Sequence, residues 1–562
     1  MTSKFTDSRK RFNFTAFASM LIIFTTVFAA CGSNNSGSTT STHTLNIGAS
    51  VGANYTQNYS PYSINGANPG ILGMVYETLF FVNSYNVTAA PTPVLGSTFS
   101  WSSDYKTLTV TTQQGVKWSD GQAFTANDVA FTFNMLKQYP KADTNGLWSA
   151  PTGGVAPLSS VTASDPNTVV FSFNVAQPLL QWQILGKTFI VAQHVFQGQD
   201  PTTYNTAAPV GTGPFMLDKF DPTVITYKRN PDFRAASSLQ VDELRYPTVK
   251  DNNTLQLELQ NGEIDWGSFF APNLNTTFVQ LDPAHNHYWM APAAITALYL
   301  NLTYPEFQDV RVRKAIAEAL DRTQMSQSAE SGYESPASPT GLVLPNNSAW
   351  LDPSLNNPTF SVNYSDANSI LDAAGYKKGS DGIRVTPAGK KMSYKIIVPA
   401  GWTDWDQICS IISQDLQNIG IQVTVNQETW GGNYNSDRAS HNFDMLMGGS
   451  LVGPNSGYML YAMLDSKGAF NWEGWNNAAT DAALNDFNST ADPNQQKTDI
   501  IKVEDIMVNS MPVIPLLNAA DWFEYSTKNF TGFPNQSNAY ASGATYNSPD
   551  NEQVVLNLKP TN

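Results

Sequence analysis

Tryptophan is the side chain here with the clearest chemical use. The chain carries 13 of them, and several sit in short polar stretches. Trp402 and Trp405 lie in Gly401-Trp402-Thr403-Asp404-Trp405, Trp430 follows at a distance, and Trp472 and Trp475 bracket Glu473-Gly474. A flat indole ring suits a sugar, whose C–H faces pack on the π-surface while its edge hydroxyls reach polar side chains. Asn, Gln, Asp and Glu then fix orientation with a few hydrogen bonds. Asn455 and Tyr458 supply such groups nearby in sequence. The candidate ligand-binding set is therefore Trp402, Trp405, Trp430, Asn455, Tyr458, Trp472 and Trp475, with Trp266 and Trp289 adding to the supply. Core packing is the alternative for each ring. Asp404 either binds a sugar hydroxyl or caps the helix that follows, and the cap is favoured.

Nucleophilic and metal chemistry find less support. Gly48-Ala49-Ser50-Val51-Gly52 matches the nucleophile-elbow pattern after a strand. The Asn-, Gly- and Pro-rich stretch 55–70 leaves no helix directly behind it, so the elbow reading is set aside. The five histidines are His43, His194, His285, His287 and His441. His285-Asn286-His287 follows Asp282-Pro283 and reads as a turn. No HExxH, phosphate-loop or dinucleotide fingerprint occurs. Neither a catalytic residue, a metal nor a cofactor is expected. Paired carboxylates for glycoside hydrolysis meet only in three dimensions, so a secreted glycosidase or lectin-like surface protein is the rival reading.

Composition narrows the class. Hydrophobic residues make up 41% of the 562, a globular proportion. Charged residues are only 14%, against roughly 25% in an average soluble protein. The formal net charge of -15 repels phosphate backbones, which argues against nucleic acid. Lys4, Arg9, Lys10 and Arg11 precede an apolar run, 12–28, and then Ala29-Ala30-Cys31-Gly32. This reads as an export signal, 1–30. It resembles a bacterial lipobox, with Phe28 where that pattern usually has Leu, and the resemblance implies lipidation at Cys31. Residues 31–42 form a Gly/Ser/Asn/Thr tether without a core. The expected location is extracytoplasmic, lipid-anchored to the cell membrane. The other cysteine, Cys409, is then left without a disulfide partner and reads as a buried inert thiol.

The elements that must position these residues alternate between strand and helix, which favours an α/β class. Residues 44–48, 107–111 and 168–173 alternate like strands. Thr125 is placed to cap a helix with Asp128 near its positive end. Residues 309–320 put Val312, Ile316, Ala319 and Leu320 on one helical face. Ile408, Ile411, Ile412, Leu416 and Ile419 mark another helix, which stops at Gly420 and feeds a strand at 421–425, a βαβ-type connection.

Several blocks, in order, resemble the family 5 (peptide-type) extracellular solute-binding proteins of ABC importers. They are Val75-Tyr76-Glu77-Thr78-Leu79-Phe80, similar to an early helix of that family, and Gly115-Val116-Lys117-Trp118-Ser119-Asp120-Gly121 with 124–129. Gly211-Thr212-Gly213-Pro214-Phe215 with 228–233, then 260–265, 309–316 and 373–376, complete the series. The resemblance implies a two-lobed periplasmic-binding-protein-like fold of type II, with an extra inserted domain. Lobe I would comprise 43–85, 212–298 and 518–562, the insert 86–211, and lobe II 299–517. The chain would hinge near Leu298 and Leu517 and close over its ligand. Glu77 would support the region between the lobes. The partners implied are a small-molecule ligand and the permease subunits, with the protein itself monomeric. Peptide binders of this family hold the ligand's amino terminus with an acidic residue in the loop after a strand like 443–449. Here the loop 450–458 has no carboxylate, and Asn455 suits a neutral hydroxyl or amide better than an ammonium. Gly401-Trp402-Thr403-Asp404-Trp405 resembles the subgroup that binds cello-oligosaccharides. An oligosaccharide or an oligopeptide is therefore the expected ligand.

Overall fold

The computed structural model describes residues 42–561 except 50–51, 53, 86–88, 150–154, 207, 345–346, 356–357, 450–461 and 469–470. The expected export signal, the tether and Cys31 lie outside the described residues, as do Ser50, Asn455 and Tyr458. No helix among the described residues is long and apolar enough to cross a membrane.

Strand β1 (Thr44–Gly48) buries Leu45 and Ile47 completely, as its alternation requires. The stretch 75–80, expected as a helix, is instead a run of turns entering a short strand at Phe80–Phe81. Two of its carbonyls are already engaged. Gly213 N–H donates to Val75 O and Ile190 N–H to Glu77 O, both at 2.9 Å. Gly70 and Gly73, at φ 83° and 90°, turn the chain just before it.

Strands β2 (Gly96–Trp101) and β3 (Thr107–Thr112), helix α1 (Ala126–Gln138), and strands β4 (Leu158–Asp165) and β5 (Thr168–Phe173) come next. They form an antiparallel sheet in the order β2-β3-β5-β4. Thr125 caps α1 as its sequence implied: its Oγ1 accepts from Asn127 N–H, while Thr125 N–H donates to Asp128 Oδ2 at 2.9 Å.

The chain returns through β6 (Phe215–Asp221), β7 (Val224–Arg229), β8 (Glu243–Pro247), α2 (Asn252–Asn261), β9 (Trp266–Gly267) and β10 (Asn286–Tyr288). It then leaves along β11 (Ala291–Leu300) through α3 (Val310–Ala319), β12 (Ser393–Pro399), α4 (Thr403–Asn418), β13 (Gln422–Glu428) and β14 (Met445–Gly449). Helices α5 (Ala478–Asn488) and α6 (Pro493–Ser510) lead into β15 (Ile514–Asp521) and back to β16 (Glu524–Ser526). Two large sheets result, ordered β10-β16-β9-β1-β8-β7-β6 and β13-β12-β14-β11-β15. The α/β class expected from the sequence holds.

The five-stranded sheet is buried on both faces. Leu298, Ile396, Met445 and Met447 enter one core, while Tyr299, Ile397 and Leu446 enter the other. Strands covered on both sides read as continuous apolar runs, as 396–399 and 445–447 do. The chain crosses between the two large sheets at β10 to β11 and at β15 to β16. Those crossings share one edge, since β11 and β15 pair antiparallel with Leu298 opposite Ile514.

Candidate functional site

Strands β12, β13 and β14 run parallel side by side, with Pro399 opposite Glu428 and Ile397 opposite Leu446. Their carboxyl ends therefore deliver three loops to one edge of the sheet, the place where open α/β sheets bind ligands. Trp402 follows β12 and Trp430 follows β13, and their rings stack with centroids 4.9 Å apart. Trp405, in the first turn of α4, meets Trp402 edge-on at 4.8 Å and rests on the core beneath. Trp430 also stacks on Tyr434 at 5.3 Å. The Arg438 guanidinium lies 5.5 Å from both the Trp430 and the Tyr434 rings, and 4.3 Å from Trp472. Trp472 in turn meets Tyr299 at 5.2 Å. Gly448 makes room for this pair, because a Cβ there would stand 3.0 Å from Tyr299 and 3.4 Å from Trp472.

Four of the five tryptophans chosen from sequence thus join one ladder. Trp402 and Trp405 are half-buried, Trp430 is 40% exposed, and Trp472 is buried. Trp475 stands apart. Its indole N–H donates to Thr480 Oγ1 at 3.1 Å and its ring faces Arg313. Trp266 is fully buried, donating to Gly543 O, and belongs to the core. Trp289 packs against the same core beside Tyr85.

The ladder begins where the two large sheets' surroundings meet. Gly52, at φ 99°, brings its backbone so close to the loop after β12 that a Cβ would lie 2.9 Å from Ala400 O. Gly401, at φ 90°, approaches Lys250 O in the same way. Beside them Asn252 Nδ2 donates to Asp404 Oδ1 at 3.2 Å and to Thr403 Oγ1 at 3.4 Å. Asp404 is therefore not the helix cap favoured from sequence. Trp402 occupies the cap position, and the carboxyl group turns to the facing segment instead.

Asp404 belongs to a buried acidic group with Glu330 and Glu334. Burial pushes Asp404 up to about 7 and Glu334 up to about 8, with the Asp404 charge adding to the latter. Glu330 is raised well above its ordinary value by burial and then by Glu334 and Asp404. Glu334 accepts from Ala520 N–H at 2.9 Å and from Thr296 Oγ1 at 3.4 Å. Among the described residues both Glu330 oxygens lack a hydrogen-bond partner. A second set of rings lines the other crossing. Tyr333 Oη accepts from Leu274 N–H at 2.7 Å, and its ring meets Tyr288 and Trp522 edge-on. Tyr546, whose Oη accepts from Trp522 N–H, keeps 51% of its surface open.

Glu77 does not sit between the large sheets. It is fully buried and pairs with Arg234 at 2.5 Å. His285 pairs with Asp282 at 2.9 Å in the turn its sequence indicated. Among the described residues no group of three His, Cys, Asp or Glu side chains is placed to hold a metal ion.

Residues 90–472 match the model of the bacterial extracellular solute-binding proteins, family 5 (middle region). The chain belongs to this family. It is accordingly an extracytoplasmic solute-binding protein of the ABC-importer type. Protein XP55 of Streptomyces lividans is 28% identical over 395 residues, covering 69% of each chain. The oligopeptide-binding protein OppA of Bacillus subtilis (strain 168) is 24% identical over 532 residues, 88% of this chain and 92% of that one. Among solved structures, a periplasmic oligopeptide-binding protein of Thermotoga maritima with bound mannohexaose superposes with a TM-score of 0.84 at 24% identity, covering 92% of this chain and 99% of that one. AppA from Bacillus subtilis, in complex with a nonapeptide, gives 0.79 at 21% identity over 92% and 99%. These likenesses fix the fold.

Sequence reasoning missed Asn252, Glu330, Glu334, Tyr434 and Arg438. Two of them carried a signal. Trp430, Tyr434 and Arg438 recur at four-residue spacing, which stacks side chains on one face of a helical turn. Asn252, Glu330 and Glu334 are brought to Asp404 only by the tertiary fold.

Proposed function

We propose that this chain captures an oligosaccharide or an oligopeptide between two lobes and hands it, unaltered, to the permease subunits of an ABC importer. The lobes are 43–85 with 212–298 and 518–562, and 299–517; residues 86–211 form the insert on the first. The observation that carries this reading is the aromatic ladder at the carboxyl edge of β12, β13 and β14, which runs up to the Asn252–Asp404 crossing. A ligand on that ladder touches both halves of the molecule, and its differential affinity for the closed form holds them together. The crossings from β10 to β11 and from β15 to β16, on adjacent paired strands, give the lobes a single hinge line, several residues from the expected Leu298 and Leu517, which lie inside β11 and β15.

The names of similar proteins support both ligand classes, one solved with mannohexaose and one with a nonapeptide. Trp402 beside hydrogen-bonding Asn252 and Thr403 suits a sugar ring with edge hydroxyls. The protein acts as a monomer without catalysis, held at the membrane by lipid on Cys31. Calorimetry and thermal shift with cello- and manno-oligosaccharides and with short peptides test the reading, with chromatography of the mixture afterwards. The expected result is a raised melting temperature with one class and no new product. Shorter sugars in the mixture would establish a glycoside hydrolase instead.

A further inference from the structure

Between α3 and β12 the chain makes a short passage that clings to the two crossing strands. One wide turn of π-type helix, Met325–Ala329, leads into it, a geometry met mostly at functional sites. Ser331 and Gly332 then stand consecutively in the left-handed region, at φ 51° and 79°. A serine there is strained, so its surroundings must hold it. Gly332 N–H donates to Ser326 O at 2.8 Å, and Tyr333 N–H to Glu330 O at 3.0 Å. The residues that follow pair with β15. Asn518 N–H donates to Ser335 O at 2.8 Å and Ala337 N–H to Leu516 O at 3.0 Å. Glu334 reaches both crossing strands, accepting from Ala520 N–H in β15 and from Thr296 Oγ1 in β11.

This fastened backbone presents Tyr333. The residue lies within 299–517, yet its ring and hydroxyl meet groups from the other half of the molecule. Its Oη accepts from Leu274 N–H at 2.7 Å. Its ring meets Tyr288 and Trp522 edge-on, with centroids 5.9 Å apart in each case. It packs against the separate small core that holds Leu255, Leu274 and Phe278.

We propose that Tyr333 is a latch between the lobes, a positioning residue that favours the closed form without touching the solute, which rests on the two-lobe reading of the chain. Its backbone is tied to the hinge strands, whereas its side chain engages the facing lobe. Rotation about the crossings draws Leu274 and Tyr288 away from it. Opening then breaks one hydrogen bond and the ring contacts, so these groups stabilise the closed form alone. The latch thereby raises the fraction of molecules competent to hold a solute, and with it the apparent affinity.

Small-angle scattering and amide hydrogen exchange on the full chain, first without solute, test the latch. Tyr333→Phe deletes only the acceptor. The Leu274 amide should exchange about tenfold faster in this variant, the scale of one hydrogen bond, and the radius of gyration should rise. Tyr333→Ala removes the ring contacts as well and should raise the radius further. A ring that merely filled the facing core would lower the melting temperature and leave the radius as it was. If Tyr333→Ala melts early, Tyr333→Phe decides, since it keeps the ring and must still raise the radius. An unchanged radius, or a Leu274 amide that exchanges as fast in the wild type as in Tyr333→Phe, overturns the latch. Scattering with added mannohexaose or a hexapeptide then separates the two readings. A wild type that contracts with either probe keeps the two-lobe reading and loses only the latch, and one that contracts with neither loses both.

Discussion

Trp402 and Trp266 show how one residue type is put to two uses. Trp266 is enclosed on every side and donates to a backbone carbonyl. Trp402 is half-buried and stacks on a second exposed ring. Trp266→Ala should lower folding stability by about 3–5 kcal/mol, the usual cost of emptying a large core site, read from denaturant unfolding. Trp402→Ala should weaken ligand binding about tenfold or more while moving the melting temperature little, read by calorimetry and thermal scan. Trp405 lies between the two, since it touches Trp402 above and the core below. Its alanine variant should lose both binding and stability. A Trp402→Ala protein that chiefly unfolds would place that ring in the core and remove it from the ligand wall.

At the scale of elements, helix ends have separable roles. The capping box of α1 belongs to folding alone, so Thr125→Ala should cost about 1 kcal/mol and leave ligand affinity unchanged. The start of α4 faces the other half of the molecule. Asn252→Ala removes the donor that meets Asp404 and Thr403 across the crossing. It should lower ligand affinity several-fold by favouring the open form, with a larger radius of gyration in scattering from the ligand-mixed sample. No change in either quantity would show that this contact does not hold the closed form. The expected helix at 75–80 failed for a reason also found at this scale. Its carbonyls serve Gly213 and Ile190, and pairing with distant segments outweighs local propensity.

For the whole molecule, buried carboxyl groups set the response to pH. Asp404 and Glu504 are raised to about 7, Glu334 to about 8 and Asp550 to about 6, in each case mainly by burial. In the unfolded chain such groups release their protons near pH 4. The folded chain retains them, so it holds more protons than the unfolded chain across this interval. Stability from these groups is full below about pH 4 and is lost as pH rises through about 8. Thermal scans should therefore give a higher melting temperature at pH 5 than at pH 8. Glu334→Gln should reduce that slope, since an amide does not titrate. An unchanged slope in the variant would mean that Glu334 does not contribute.

The strands at 44–48, 107–112 and 168–173, the capped helix α1, and the α4–β13 unit were legible because period and caps are local properties, fixed by a few neighbouring side chains. The family blocks added the overall architecture. The tryptophans could be chosen as a group, yet not sorted. Nothing within 402–430 says that the two rings stack, because β12 and β13 must first lie in parallel register to bring their ends together. Asp404 illustrates the limit. Local rules made it a cap, and the structure turned it toward Asn252, 152 residues away in sequence. The ladder's later members, Tyr434 and Arg438, were visible as spacing but not as neighbours of Trp472. Local chemistry thus determined the elements and the stock of aromatic and polar groups. Only the packing of one sheet beside another decided which of them share a surface, since side chains far apart in the chain meet only where strand register and the crossing glycines allow it.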